Sequence, residues 1–132
     1  MIGLDTNVLI RYLAQDDKVQ SSKATRFIEQ KLTDKEPGFI NYIVLIETVW
    51  VLESCYDTTK QSLVNIIYQL ASTRQIILQN AEIVLKSLRL YESSNIDYAD
   101  ALLSTINIDN GCATTVSFDK KAGKVHTFSL LK

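Results

Sequence analysis

Four carboxylates matter for where they fall in the chain: Asp5, Glu47, Asp100 and Asp119. Asp5 closes the apolar run "MIGLD", and Asp119 closes "ATTVSFD", so each ends a predicted strand. In open parallel sheets, sites form beyond the carboxyl ends of the strands. Glu47 has Ile43, Val44, Trp50 and Val51 as its i±3 and i±4 neighbours on a predicted helix. A carboxylate so bracketed is expected to leave bulk water, and burying it unpaired is costly. It therefore calls for a partner, either a cation or a basic side chain. Asp100 falls at the edge of a stripe formed by Ala99, Leu102, Leu103 and Ile106, which is expected to be buried. Taken singly, Asp5 and Asp119 are also ordinary turn residues. Taken together, the four are expected to converge on one site. An all-oxygen donor set suits Mg²⁺ or Mn²⁺ rather than zinc or copper. Gathered carboxylates also repel one another unless a divalent ion neutralises them. The chemistry to expect is metal-assisted.

Other chemistries lack their parts. The single histidine, His126, falls in a predicted strand and reads as structural. No Ser-His-Asp, Cys-His or zinc arrangement is present, and no Gly-rich phosphate loop. Cys55 and Cys112 lie far apart, match no ligand spacing, and read as small buried hydrophobes in a reducing compartment. A net charge of −1 argues against a protein that coats nucleic acid, so any such contact needs a local basic patch. The most membrane-like stretch, "FINYIVLIETVWVLESCY", carries Glu47 and Glu53, which a bilayer does not tolerate. Asp5 interrupts the place where a secretory apolar segment would run. The expected location is the cytoplasm.

The elements that must position these residues follow from periodicity and caps. Strands are predicted at the N-terminus, at Phe39 and Ile40, at "QIILQ", at "CATTVSFD" and at "VHTFSL". Helices are predicted over "TNVLIRYLA", over "SSKATRFIEQKL" with Ser21 or Ser22 as N-cap, and from Asn41 through about Cys55. Three more follow: from Thr58 or Thr59 to Ala71, from Ala81 to about Tyr91, and from Asp97 to a C-cap at Asn110 and Gly111. Strands alternating with helices imply a parallel sheet with helical crossovers. The expected architecture is a single domain, residues 1–132: a three-layer α/β/α sandwich around a mostly parallel sheet of four to five strands. In the early helices Leu9, Ile10, Tyr12, Leu13, Phe27 and Ile28 exceed what one helix face can bury, which suggests a groove for a partner.

The motifs "GLDTNVLI", "IET", "DYADAL" and "SFD" resemble, in order and spacing, the four motifs of PIN-domain ribonucleases. Among these the chain is most similar to the VapC-type toxins of bacterial type II toxin–antitoxin modules. The likeness runs over essentially the whole chain. It implies that Asp5, Glu47, Asp100 and Asp119 are the catalytic, metal-holding quartet. It places Thr6 and Asn7 after the first aspartate, Ser117 at the small hydroxyl position before the last, and Asp97 at a peripheral acidic position. It further implies Mg²⁺ or Mn²⁺ as cofactor and single-stranded or structured RNA as substrate, with hydrolysis leaving a 3′-hydroxyl and a 5′-phosphate. A homodimer and an antitoxin whose segment blocks the site are implied as well. Arg11, just past Asp5, is a candidate contact for RNA phosphate or antitoxin.

Three other classes use acidic sites. A phosphoacceptor domain needs an aspartate ending its middle strand, but "QIILQN" ends in Asn80. A haloacid-dehalogenase-type phosphatase needs an aspartate two residues after the first, where Asn7 stands. A binding module without activity is expected to have lost part of the quartet. An RNA-processing nuclease with no antitoxin remains open beside the toxin.

Overall fold

The computed structural model describes all of Met1–Lys132. The chain folds as two compact units, Met1–Gln79 and Asn80–Lys132. In the first, a two-residue strand β1 (Ile2–Gly3) leads into helix α1 (Thr6–Ala14), and helix α2 (Lys18–Arg26) runs on into a π-turn over Phe27–Lys31. Strand β2 (Gly38–Ile40), helix α3 (Tyr42–Tyr56), helix α4 (Lys60–Ala71) and strand β3 (Ile76–Leu78) complete it. The strands pair in parallel, in the order β1-β2-β3. Each crossover is helical, as parallel pairing requires.

The caps explain most of the boundaries. The Asn41 side chain accepts from the Val44 amide at 2.9 Å, and Thr59 accepts from Ser62 at 3.2 Å, both as their residue types predict. One cap differs from expectation. Helix α2 starts at Asp17, whose carboxylate takes the amides of both Val19 and Gln20, not at Ser21 or Ser22. A charged acceptor serving two orphan amides outcompetes a hydroxyl serving one, and Ser21 is buried inside the helix instead.

The core of this unit is Leu9, Ile10, Ile28, Leu45, Leu52, Leu63 and Ile67, all buried. The early-helix surplus is therefore smaller than expected. Leu9, Ile10 and Ile28 sit inside, and only Tyr12, Leu13 and Phe27 stay partly exposed. One core polar group is left over, because the buried Thr48 hydroxyl has no hydrogen-bond partner. An unsatisfied buried hydroxyl is destabilising, and a methyl of the same shape removes the penalty. Thr48→Val is expected to raise stability by about 1 kcal/mol, seen as a higher midpoint in chemical denaturation.

In the second unit, helix α5 (Ala81–Ser93) packs against helix α6 (Tyr98–Asp109), followed by strands β4 (Thr115–Ser117) and β5 (Phe128–Leu130), paired in parallel. Leu88, Tyr98, Ala101 and Leu102 are its buried centre. The Tyr98 hydroxyl lies 2.9 Å from Ser87 Oγ, and its ring meets Tyr91 edge-on at a centroid distance of 5.6 Å. Helix α6 ends at Asn110, with Gly111 at φ 93°, a conformation that favours glycine. The five expected strands all form in parallel pairs, three in one sheet and two in the other. Three details differ. His126 precedes β5 and is exposed. Leu103 points outward while Ser104 is buried, so the buried stripe of α6 is rotated by about one residue from the one predicted. Cys55 and Cys112 are free and exposed, not buried: one lies on the outer face of α3, the other just past the end of α6. No helix is long and apolar enough to cross a membrane.

Candidate active site

Two of the four carboxylates lie in each unit. In the first, Asp5 leaves β1 in extended conformation and occupies the N-cap of α1, yet its carboxylate accepts no capping hydrogen bond. A turn-starting aspartate normally uses its side chain that way, so the bland reading of Asp5 loses its main support. The hydroxyl of the next residue, Thr6, reaches across to α3 and donates to Glu47 Oε1 at 2.7 Å. This bond ties the start of α1 to the middle of α3 and leaves the second Glu47 oxygen uncommitted. Glu47 itself is exposed, contrary to expectation. The apolar residues that bracket it include Ile43 and Trp50, which are 67% and 63% exposed. The bracket misled because α3 is apolar nearly all round, with its buried face at Val44, Leu45, Thr48, Val49 and Leu52.

Asp5 and Asn7 also line a cavity of 510 Å³ walled by Leu4, Val8, Ala24 and Phe27, with Arg11 and Lys23 adding charge. Arg11 is held in place. Its Nε donates to Gln20 at 2.8 Å and its Nη1 to Asp16 at 3.2 Å, while the Tyr56 hydroxyl donates to the other Asp16 oxygen at 2.5 Å. The Tyr56 hydrogen bond, with help from Arg11, holds the Asp16 carboxyl below its ordinary range. Arg11, Asp16 and Gln20 are near in the chain, but Tyr56, 40 residues from Asp16, is brought to them only by the fold.

In the second unit Asp97 caps α6, accepting from the Asp100 amide at 2.9 Å. Asp100 is half-buried, and its carboxyl is pushed above the usual range. Burial is the main cause, and the negative charges of Asp97 and Asp119 add to it. Three carboxylates thus share one electrostatic neighbourhood. Asp119 sits in a tight turn: its amide donates to Ser117 Oγ at 3.0 Å, and its Oδ1 accepts from the Lys121 amide at 2.9 Å. Ser117 therefore orders the turn that presents the last aspartate.

Within neither unit do three His, Cys, Asp or Glu side chains close into a metal cage. The residues nevertheless fit a hard, hydrated ion. The donors are carboxylate oxygens, and the repulsion felt at Asp100 is what a divalent cation relieves. Mg²⁺ keeps several waters and usually binds through one or two carboxylates with substrate phosphate, so an open arrangement suits it.

Residues 2–126 match the family model of the PIN domain. The chain belongs to the PIN-domain family. PIN domains are typically nucleases whose active sites generally use divalent metal ions, and the mixed α/β fold with parallel strands and six α-helices is theirs. The match runs through both units of this PIN domain. No curated protein matches the chain.

Asp97 and Asp100, three residues apart, are expected to differ in role. Asp97→Asn is expected to keep both fold and activity, since asparagine caps a helix about as well. Asp97→Ala should lose about 1 kcal/mol of stability, measured by urea denaturation. Inactivity of Asp97→Asn on a par with Asp100→Asn would contradict that ranking.

Proposed function

We propose that this PIN domain is an endoribonuclease dependent on Mg²⁺ or Mn²⁺, hydrolysing single-stranded or structured RNA, and that it acts as the toxin of a VapC-like toxin–antitoxin pair. The observation carrying the reading is a full set of acidic residues in a chain that matches the PIN family almost end to end. Asp5, Glu47, Asp100 and Asp119 would hold the ion. When bound, a divalent cation supplies charge neutralisation at the phosphate and makes water more acidic. The side chains supply the rest. Thr6 fixes the orientation of Glu47 through one carboxylate oxygen. Asp100 or Glu47 would orient the attacking water. Ser117 and the Lys121 amide hold Asp119 still, which keeps the geometry preorganised.

The direct test is incubation of the purified protein with single-stranded RNA in Mg²⁺, followed by mapping of the new ends. Discrete cuts carrying 5′-phosphate and 3′-hydroxyl support the reading. Intact RNA over a range of substrates and both metals would remove it. Induction in the native host distinguishes toxin from processing nuclease: growth arrest relieved by a co-expressed neighbouring small protein supports the toxin.

The antitoxin is expected to lay an apolar segment into the cavity beside Leu4, Val8 and Phe27 and to direct an arginine or lysine at Asp5. A partner cation and a metal ion would then serve the same carboxylates, so they must compete. Calorimetric titration should give weaker Mg²⁺ binding to the complex than to the free protein. Equal affinity would rule out substitution of the metal by a side chain.

A further inference from the structure

Helix α3 presents Ile43, Glu47 and Trp50 along one exposed stripe, at spacings of four and three residues. Side chains so spaced are neighbours on a helix, with Cβ atoms roughly 5–6 Å apart. Trp50 is 63% exposed, although tryptophan is usually well buried. It is also the only tryptophan in the chain. The opposite face of α3 carries the core residues Leu45, Thr48, Val49 and Leu52, so packing inside the unit does not account for an outward indole. We propose that Trp50 is a stacking platform for an unpaired nucleobase of the RNA, placed one helical turn from Glu47. This rests on the nuclease reading and deepens it, by giving the site a preference for single-stranded over paired RNA.

The chemistry of the stripe favours a base over a second copy of the chain. Interface cores are depleted of charge, and this stripe has a carboxylate at its centre, held by Thr6. Burying it against another protein would strand that charge. A flat base needs only the indole face, which leaves Glu47 uncovered and available to the ion. Stacking on an aromatic side chain is tolerant of sequence because every base has a π-face, but a base within a duplex already has neighbours on both sides. Trp50 is thus a positioning residue, and its contribution belongs to binding rather than to the chemical step.

Because Trp50 is the only tryptophan, its fluorescence reports this one contact. Unlabelled single-stranded RNA, titrated in Ca²⁺ in place of Mg²⁺, is expected to quench it. An abasic chain of the same length, followed by displacement of a labelled oligonucleotide, is expected to bind without quenching. Trp50→Ala should raise KM for single-stranded RNA roughly tenfold, the size of loss typical of one removed base stack, with kcat nearly unchanged. Trp50→Phe should restore most of the affinity. Equal quenching by the abasic chain would overturn the proposal, as would a fall in kcat with KM unmoved. A spectral shift on raising protein concentration without RNA would overturn it too, by showing that a second copy covers the indole. Trp50 lies on the surface, so neither variant puts folding at stake. If no oligonucleotide binds at all, the nuclease reading falls, and this inference with it. If RNA binds and is cut but Trp50 is silent, only the inference falls.

Discussion

Asp100→Asn is expected to abolish RNA cleavage while making the metal-free protein more stable. The two effects have one origin. Asp100 is half-buried beside Asp97 and Asp119, and its negative charge is disfavoured there by burial first and by those neighbours second. Asparagine has the same shape without the charge, so the apo fold loses a repulsion. The gain should depend on pH. The folded carboxyl binds its proton more tightly than the unfolded one, so the native state gains stability as pH falls. That contribution is fully present below the ordinary aspartate pKa and is lost as pH rises through the raised folded value. The advantage of Asp100→Asn over the wild type should therefore be largest at neutral pH and vanish in acid. Activity moves the other way. A carboxylate that orients water and helps hold the ion acts where charge develops, and removing such a group costs roughly 10²–10³-fold or more in kcat. Thermal melts at pH 7 and pH 3 beside single-turnover cleavage would separate the effects. An active Asp100→Asn would take Asp100 out of the site.

Divalent metal should control both activity and melting. Chelation is expected to silence cleavage completely, with Mg²⁺ or Mn²⁺ restoring it and Zn²⁺ failing to do so, because the candidate donors are all oxygen. An ion that binds only the folded chain stabilises it by RT ln(1 + [M]/Kd), which is about 2.7 kcal/mol at a hundredfold excess over Kd. The melting temperature should therefore climb with the logarithm of Mg²⁺ once Kd is passed. In the Asp5→Asn, Glu47→Gln and Asp119→Asn proteins the climb should begin at higher Mg²⁺ or disappear. An unchanged melting curve in saturating metal, with cleavage intact in chelator, would sink the metal-dependent reading.

How much of this was legible in the sequence depended on whether the deciding interaction was local. Caps made within three residues, at Asn41, Thr59 and Asp97, were readable because donor and acceptor lie in one short stretch. Strand positions were readable to within a few residues, from β-branched and apolar runs bounded by turn residues. The start of α2 was missed because two candidate caps lay close together, and charge decided between them. Facing was the harder problem. Helix α3 is apolar almost all round, so periodicity could not say which side was inward: Glu47, expected to leave bulk water, and Cys55, expected to be buried, are both exposed. The same uncertainty turned α6 by a residue, hiding Leu103 and overlooking Ser104. Of the candidate site, residue types and their order along the chain were legible. The Thr6–Glu47 bond was not, because it joins positions 41 residues apart.

The two exposed thiols give the molecule a built-in measuring device. Cys55 belongs to the first unit and Cys112 to the second, and the sequence holds no other cysteine. A spin label or fluorophore pair attached to them, without any mutation, would report the separation of the two halves directly. The same pair could follow that separation as metal, RNA or a blocking partner is added. Handling without reductant would have the opposite effect, since accessible thiols cross-link neighbouring molecules and would obscure the signal.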